Sequence, residues 1–232
     1  MPHPARRRIA DALLDALDVL LPVECAGCGA GGRSVCADCR AALAPEVRLV
    51  ERPGLAAWAG GSYDGARRGV IAAYKDGGRT DAAGALAPLL AAPLEAALAA
   101  LPPALAVELA TVPSRRTAYA LRGYRPVDAL VRRLGLRPAT VLRHTGAGRD
   151  QAGLGAAERR ANVERSLVAS RPLDGRRFLL VDDILTTGAT ASAAIRAVEA
   201  AGGTVLGVVV LVETPRRDAL RHPLGELSGT DP

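Results

Sequence analysis

Four cysteines and two adjacent aspartates are the side chains of this sequence best suited to chemistry. The cysteines form two Cys-x-x-Cys pairs, Cys25-Ala-Gly-Cys28 and Cys36-Ala-Asp-Cys39, separated by seven residues. Each pair sets two thiols on one tight knuckle. A short hairpin can bring the knuckles together as a tetrahedral S₄ site, the geometry zinc prefers, and Gly27, Gly29, Gly31 and Gly32 allow the sharp turns this needs. A closed site of that kind folds the knuckle and leaves no coordination position for catalysis. Two disulfides and redox Cys-x-x-Cys chemistry are the competing readings of the same spacing.

The aspartates, Asp182 and Asp183, end the apolar run Phe178-Leu179-Leu180-Val181. Such a run reads as a strand covered on both faces, and in open α/β sheets ligands bind at the carboxyl ends of the strands. Thr186-Thr187-Gly188-Ala189-Thr190 follows, with three hydroxyls and a glycine, and Ala191 to Ala201 then has helical spacing (Ala194, Ile195, Val198) before Gly202-Gly203. Backbone N–H groups, hydroxyls and the positive end of a helix together make a phosphate cradle. Two carboxylates beside it would repel the phosphate, so they should face sugar hydroxyls or a metal ion carried by the ligand. The implied ligand is a sugar phosphate. A single Asp or Thr here would read as a helix cap; the acid pair together with the hydroxyl-rich loop favours the binding site.

The elements that must position these groups read as follows. Pro45 to Pro53 is a linker or edge segment, and Leu55 to Ser62 a short strand with Tyr63-Asp64-Gly65 as its turn. Ala66 to Asp76 is a helix stopped at Gly77-Gly78, and Thr80 to Ala100 an alanine-rich second helix. Lys75 and Arg79 flank the glycine break, as helix-end cations or as ligand contacts. Leu105 to Val112 is a strand running into Pro113-Ser114-Arg115-Arg116 and then Arg122-Gly123-Tyr124-Arg125, a basic loop suited to a polyanion. A helix from Pro126 to Leu134 follows. Val141 to His144 and Ser166 to Ala169 are short strands, and Gly146 to Asn162 between them reads as a mobile flap. Thr204 to Val212 is a second wholly apolar strand that completes a βαβ unit, and the tail from Glu213 reads as irregular.

Composition narrows the function. Basic residues number 30 against 24 acidic ones, and Lys75 is the single lysine, so the positive charge is almost all arginine, the residue suited to bidentate phosphate contacts. The arginines are spread along the chain, and aromatic residues are 3% of it, which gives little support to a base-stacking surface. No G-x-x-x-x-G-K-[ST] motif is present, which argues against a P-loop ATPase. No apolar stretch reads as a membrane span. Residues 1 to 22 carry Arg6-Arg7-Arg8 and an apolar stripe at Ile9, Leu13, Leu17 and Leu20, interrupted by Asp11, Asp15 and Asp18. That pattern predicts an amphipathic helix and not a signal peptide, hence a cytoplasmic protein.

VDDILTTGAT closely resembles the phosphoribosyl-pyrophosphate (PRPP) signature of type I phosphoribosyltransferases. The order of parts, a four-cysteine knuckle and then such a domain, resembles the ComF family, associated with natural competence and DNA uptake. Matching pieces are the two Cys-x-x-Cys pairs, Tyr63-Asp64-Gly65, the segment from Lys75 to Arg79, VPSRR with Arg122-Gly123-Tyr124, and Gln151 to Asn162. Where the family has a histidine after Val-Pro and an Asn-Gln pair after Arg-Gly-aromatic, this chain has Ser114-Arg115 and Arg125-Pro126.

The resemblance implies an α/β fold: a type I phosphoribosyltransferase-like parallel-sheet domain over 55–215 with a small zinc knuckle at 23–44, preceded by the helix of 1–22 and followed by a tail at 216–232. It implies that Asp182 and Asp183 meet the ribose 2′ and 3′ hydroxyls and that Thr186, Thr187, Gly188, Ala189 and Thr190 hold the 5′-phosphate. Arg115, Arg116, Arg122 and Arg125 would take the pyrophosphate, with Mg²⁺ accompanying PRPP, and Arg149 to Asn162 would exclude water. Cys25, Cys28, Cys36 and Cys39 would hold structural Zn²⁺. Single-stranded DNA and a helicase-like competence protein are the implied partners. A PRPP or nucleotide sensor, or a DNA adaptor without turnover, is the alternative on the same fold.

Overall fold

The two wholly apolar runs become the two longest strands of a six-stranded sheet. The computed structural model describes residues 23–114, 116–145 and 166–215. The predicted amphipathic helix, the whole of the flap, Arg115 and the tail beyond residue 215 lie outside them. In chain order the helices are α1 (Ala37–Ala42), α2 (Gly65–Lys75), α3 (Ala83–Ala99, preceded by a 3₁₀ turn at Thr80–Ala82), α4 (Arg116–Arg122), α5 (Pro126–Arg133) and α6 (Ala189–Glu199). The strands are β1 (Arg48–Arg52), β2 (Leu55–Ala59), β3 (Glu108–Thr111), β4 (Pro138–Ala139), β5 (Leu142–His144), β6 (Leu167–Ala169), β7 (Arg177–Leu185) and β8 (Thr204–Glu213).

The sheet order is β1-β2-β8-β7-β3-β4, with β1 antiparallel to β2 and every other pairing parallel. The expected α/β class with a mostly parallel sheet is therefore what the chain forms. Side chains alternate between two cores, as a doubly covered sheet requires. Leu179, Val181, Val209 and Leu211 face α2, α3, α5 and the cysteine knuckle. Phe178, Leu180, Val208 and Val210 face α6 and the separate antiparallel pair β5–β6.

Helix α3 crosses β8 and contains Pro88 and Pro93. Proline cannot donate to the carbonyl four residues back, which frees the Leu89 carbonyl. The backbone of Gly60 at the end of β2 lies directly on that carbonyl, where no Cβ would fit. By length and hydropathy, Thr80–Ala99 also meets the requirements of a membrane span, contrary to the sequence expectation. In this fold Leu86, Leu89 and Leu90 are fully buried against the sheet, as in a core helix.

Of the two readings of 45–53, linker or edge segment, the edge is what forms: β1 is an edge strand paired along its length with β2. Two other expectations change. The basic stretch after β3 is partly helical: α4 spans Arg116–Arg122. Glu213 is no part of an irregular tail; it ends β8 and is 5% exposed.

Candidate functional site

Parallel pairing on both sides places β7 in the middle of the sheet, and the acid pair lies toward its carboxyl end, with Asp182 in register with Val210 of β8. The strand runs two residues past the acids to Leu185, further than the apolar run alone indicates. One oxygen of each acid is tied to the local backbone: the Asp183 N–H donates to Asp182 Oδ1 at 2.9 Å and the Ile184 N–H to Asp183 Oδ1 at 2.7 Å. Lys75 Nζ, from the last residue of α2, stands 2.6 Å from Asp183 Oδ2. Of the two roles the sequence left open for Lys75, the structure thus brings it to the acids.

Burial, then the charge of Asp183, push the Asp182 carboxyl up to about 8, against the pull of the Asp183 N–H and of Lys75. Burial lowers Lys75, but the charge and hydrogen bond of Asp183 outweigh it and hold the ammonium above its ordinary value. Burial thus biases Asp182 toward its neutral form, while Asp183 is paired with the lysine. Such a set suits hydroxyl groups better than a bare anion.

Immediately beyond, Thr186 to Thr190 turn into α6. Gly188 has φ 86°, in the left-handed region, and precedes the first helical residue with no side-chain cap. No acidic residue occupies the first turn, so the N–H groups of an eleven-residue helix face outward with their partial positive charge uncompensated. Thr186, Thr187 and Thr190 are exposed, and Thr187 Oγ1 accepts from the Ala189 N–H at 3.4 Å. The loop rests on Arg52 of β1, whose Nε donates to the Thr186 carbonyl at 2.7 Å and whose Nη2 meets Glu213 Oε2 at 2.7 Å. Sequence reading missed both residues. Their signal was a charged residue at the end of each of two strands, visible only once the strands are known to lie near each other in the sheet.

Two of the four arginines expected at a pyrophosphate, Arg122 and Arg125, are engaged with protein groups. Arg122 pairs with Asp76 at 2.6 Å, and Arg125 lies 5.7 Å from the Tyr119 ring centroid and 3.8 Å from Asp128. Arg116 opens α4, and Arg115 is outside the described residues. Two tyrosines bind this region to α2: Tyr74 donates to the Pro126 carbonyl at 2.9 Å, Tyr124 donates to the Tyr74 carbonyl, and their rings meet edge-on. Lys75 and Arg122 are therefore held on one framework. His144 of β5 bonds the Pro113 carbonyl at 2.9 Å and ties the same loop to the β5–β6 pair.

Against the middle of α2, at Gly69 and Val70, the four cysteine Sγ atoms lie within 4.8 Å of one another. Cys28 and Cys36 are 3.7 Å apart, against about 3.8 Å for two sulfurs 2.3 Å from a tetrahedral zinc ion. All four are free thiols, so the two-disulfide reading does not describe this arrangement. The N–H groups of Gly27 and Cys36 donate to Cys25 Sγ at 3.4 and 3.3 Å. Burial raises the Cys25 thiol, yet backbone N–H groups, that of Cys36 foremost, outweigh it and lower it to about 6, the thiolate a metal requires. The donor set and spacing fit zinc.

A cavity of about 740 Å³ lies elsewhere, between β6 and the far end of α6, lined by Arg171, Asp174 and Gly202 among others. It has neither the acid pair nor the hydroxyl loop. The site is assigned on its chemistry.

Residues 120–222 match the phosphoribosyl transferase domain. An adenine phosphoribosyltransferase of Rhodococcus jostii (strain RHA1) is 56% identical over 41 residues, 18% of this chain and 23% of the relative. An orotate phosphoribosyltransferase of Coccidioides immitis (strain RS) is 35% identical over 60 residues, 26% of this chain and 25% of the relative. The chain thus spans about a quarter of the length of the curated relatives it matches. Among solved structures, an adenine phosphoribosyltransferase from Saccharomyces cerevisiae aligns over 77% of this chain and 89% of its own, at 17% identity and a TM-score of 0.38. The part of the chain that holds the acid pair, the Thr186–Thr190 loop and α6 is similar in sequence to the phosphoribosyl transferase domain.

Proposed function

We propose that the protein binds PRPP with Mg²⁺ and transfers its phosphoribosyl group to a base. The observation that carries this reading is the acid pair at the end of the central strand, running directly into a hydroxyl-bearing loop at an uncapped helix N-terminus. Asp182 and Asp183 take the ribose 2′ and 3′ hydroxyls, Asp182 as donor and Asp183 as acceptor. Thr186, Thr187, Gly188, Ala189 and Thr190 take the 5′-phosphate. Mg²⁺, which arrives with PRPP, offsets the charge of the departing pyrophosphate. The bond from C1 to pyrophosphate oxygen breaks, a bond from C1 to a nitrogen of the base forms, and that nitrogen loses its proton. The protein contributes position and electrostatics around the oxocarbenium-like centre. Lys75, with Arg115, Arg116, Arg122 and Arg125, makes up the positive side of the site.

A second reading, binding without turnover, is favoured by the engagement of Arg122 with Asp76 and of Arg125 with Tyr119 and Asp128. In that form the protein is a PRPP or nucleotide sensor, or an adaptor for single-stranded DNA and a helicase-like partner in competence, as the ComF resemblance implies. The cysteine knuckle supports that family assignment and holds structural zinc. We place the protein in the cytoplasm, where such thiols stay reduced.

Calorimetric titration of PRPP and Mg²⁺, with pyrophosphate release followed in the presence and absence of candidate bases, separates the readings. Binding with base-dependent release establishes the transferase, and binding without release establishes the sensor or adaptor. Unchanged PRPP affinity in folded Asp182→Asn/Asp183→Asn protein overturns both. For the adaptor, affinity for single-stranded DNA must also fall steeply with salt.

A further inference from the structure

Arg52 and Glu213 stand outside every motif considered so far, yet they form a buried ion pair directly behind the phosphate loop. Their side chains are 5% and 7% exposed, and Arg52 Nη2 lies 2.7 Å from Glu213 Oε2. The guanidinium spends its remaining donors on three backbone carbonyls: Thr186 at 2.7 Å through Nε, Glu51 at 2.9 Å through Nη1 and Thr214 at 2.9 Å through Nη2. Glu213 ends β8 and Arg52 ends β1, so one side chain joins the edge hairpin, the end of β8 and the residue that opens the loop.

We propose that Arg52, fixed by Glu213, is a positioning residue for the 5′-phosphate loop, an inference that rests on the sugar-phosphate reading of Thr186 to Thr190. In a trans peptide the carbonyl of one residue and the N–H of the next point in opposite directions. With the Thr186 carbonyl held toward Arg52, the Thr187 N–H turns to the open side of the loop, where an anion can reach it. The stem of Arg52 also shapes the next turn. A Cβ on Gly188 would lie 3.1 Å from Arg52 Cβ and 3.2 Å from Leu55 Cδ2, so the loop backbone sits on β1 and β2 with room for glycine alone. Lysine at position 52 offers a point charge in place of the planar fork and cannot serve these four acceptors together. The acid pair has its own backbone ties and does not depend on Arg52.

This separation gives a test that general destabilisation does not imitate. Ribose 5-phosphate and pyrophosphate with Mg²⁺ are titrated separately into wild type, Arg52→Lys and Glu213→Gln, each checked for its fold by circular dichroism. Expected is a loss of about tenfold or more in ribose 5-phosphate affinity in Arg52→Lys, with a smaller loss in Glu213→Gln and pyrophosphate affinity within about twofold of wild type. Variants that bind ribose 5-phosphate like wild type, or lose both ligands equally, overturn the inference. Should Arg52→Lys fail to fold, Glu213→Gln decides alone by the same selective loss. Wild type that binds neither ligand overturns the sugar-phosphate reading itself, an outcome distinct from a clamp that proves unnecessary.

Discussion

Lys75 Nζ and Asp183 Oδ2 stand 2.6 Å apart, so the last residue of α2 closes on the end of the central strand. The contact is long-range in sequence, partly buried, and shares its carboxylate with the backbone turn at Ile184. Substitution Lys75→Met leaves Asp183 without its cation. The expected cost is about 1–2 kcal/mol of stability, between the values for exposed and buried pairs. Because the ammonium is held above its ordinary value, its contribution is complete below about pH 10 and is lost only as pH rises through the folded value. The difference between denaturant melts of wild type and variant should therefore persist from pH 6 to 9, growing as Asp182 ionises beside Lys75, and shrink only above that range.

Asp182 behaves in the same sense over a lower range of pH. Its ordinary value is 3.8 and its folded value is about 8, so between these limits the folded state binds the extra proton. Its favourable contribution is complete below about pH 4 and is lost as pH rises through 8. Asp182→Asn should match wild type near pH 4 and exceed it at pH 9 by about 1–3 kcal/mol, while its affinity for PRPP falls. Equal stability at pH 9 would show that the site does not strain the carboxylate.

Sequence reading reached the core of this arrangement because the informative residues are contiguous. The strand from Phe178, the acid pair, the loop and α6 follow one another with no long-range contact needed to recognise them. The stretch from Arg115 to Arg125 was harder. Its arginines read as a loop because a polyanion site and a helix that salt-bridges to Asp76 have the same composition, and the partner lies 46 positions away. Arg52 and Glu213, 161 positions apart, gave no local sign of each other. Helix α3 was legible as a helix, but hydropathy alone does not say what covers it, since an apolar helix buried on a sheet and one that crosses a bilayer meet the same test.

Gly188→Ala isolates the shape of the loop. The left-handed φ of 86° disfavours any L side chain, and the new methyl group would press on Arg52 and Leu55. A loss of about 1–2 kcal/mol in stability is expected, with weaker ribose 5-phosphate binding in the same calorimetric assay. Gly54→Ala provides the control, because it has φ 77° but an open surrounding and no contact with the loop.

Metal analysis of protein purified under reducing conditions should find about one zinc ion per chain. Removal by chelator, or Cys39→Ser, should lower the melting temperature by several degrees, since the metal contributes folding energy outright. Intact, metal-free protein with four free thiols and an unchanged melt would remove the zinc assignment.

The contact between the knuckle and α2 has a further consequence. A Cβ on Gly27 would meet Cys39 Sγ at 2.7 Å and Val70 Cγ2 at 3.0 Å, and one on Gly69 would meet the Gly27 carbonyl at 2.6 Å. Two backbones that approach so closely leave no layer of side chains to yield between them, and the helix on one side of this seam ends in Lys75. The knuckle and the sheet should consequently melt as one body, with zinc released in the same transition that exposes the acid pair. Calorimetry should then show a single endotherm, shifted as a whole when one cysteine ligand is removed.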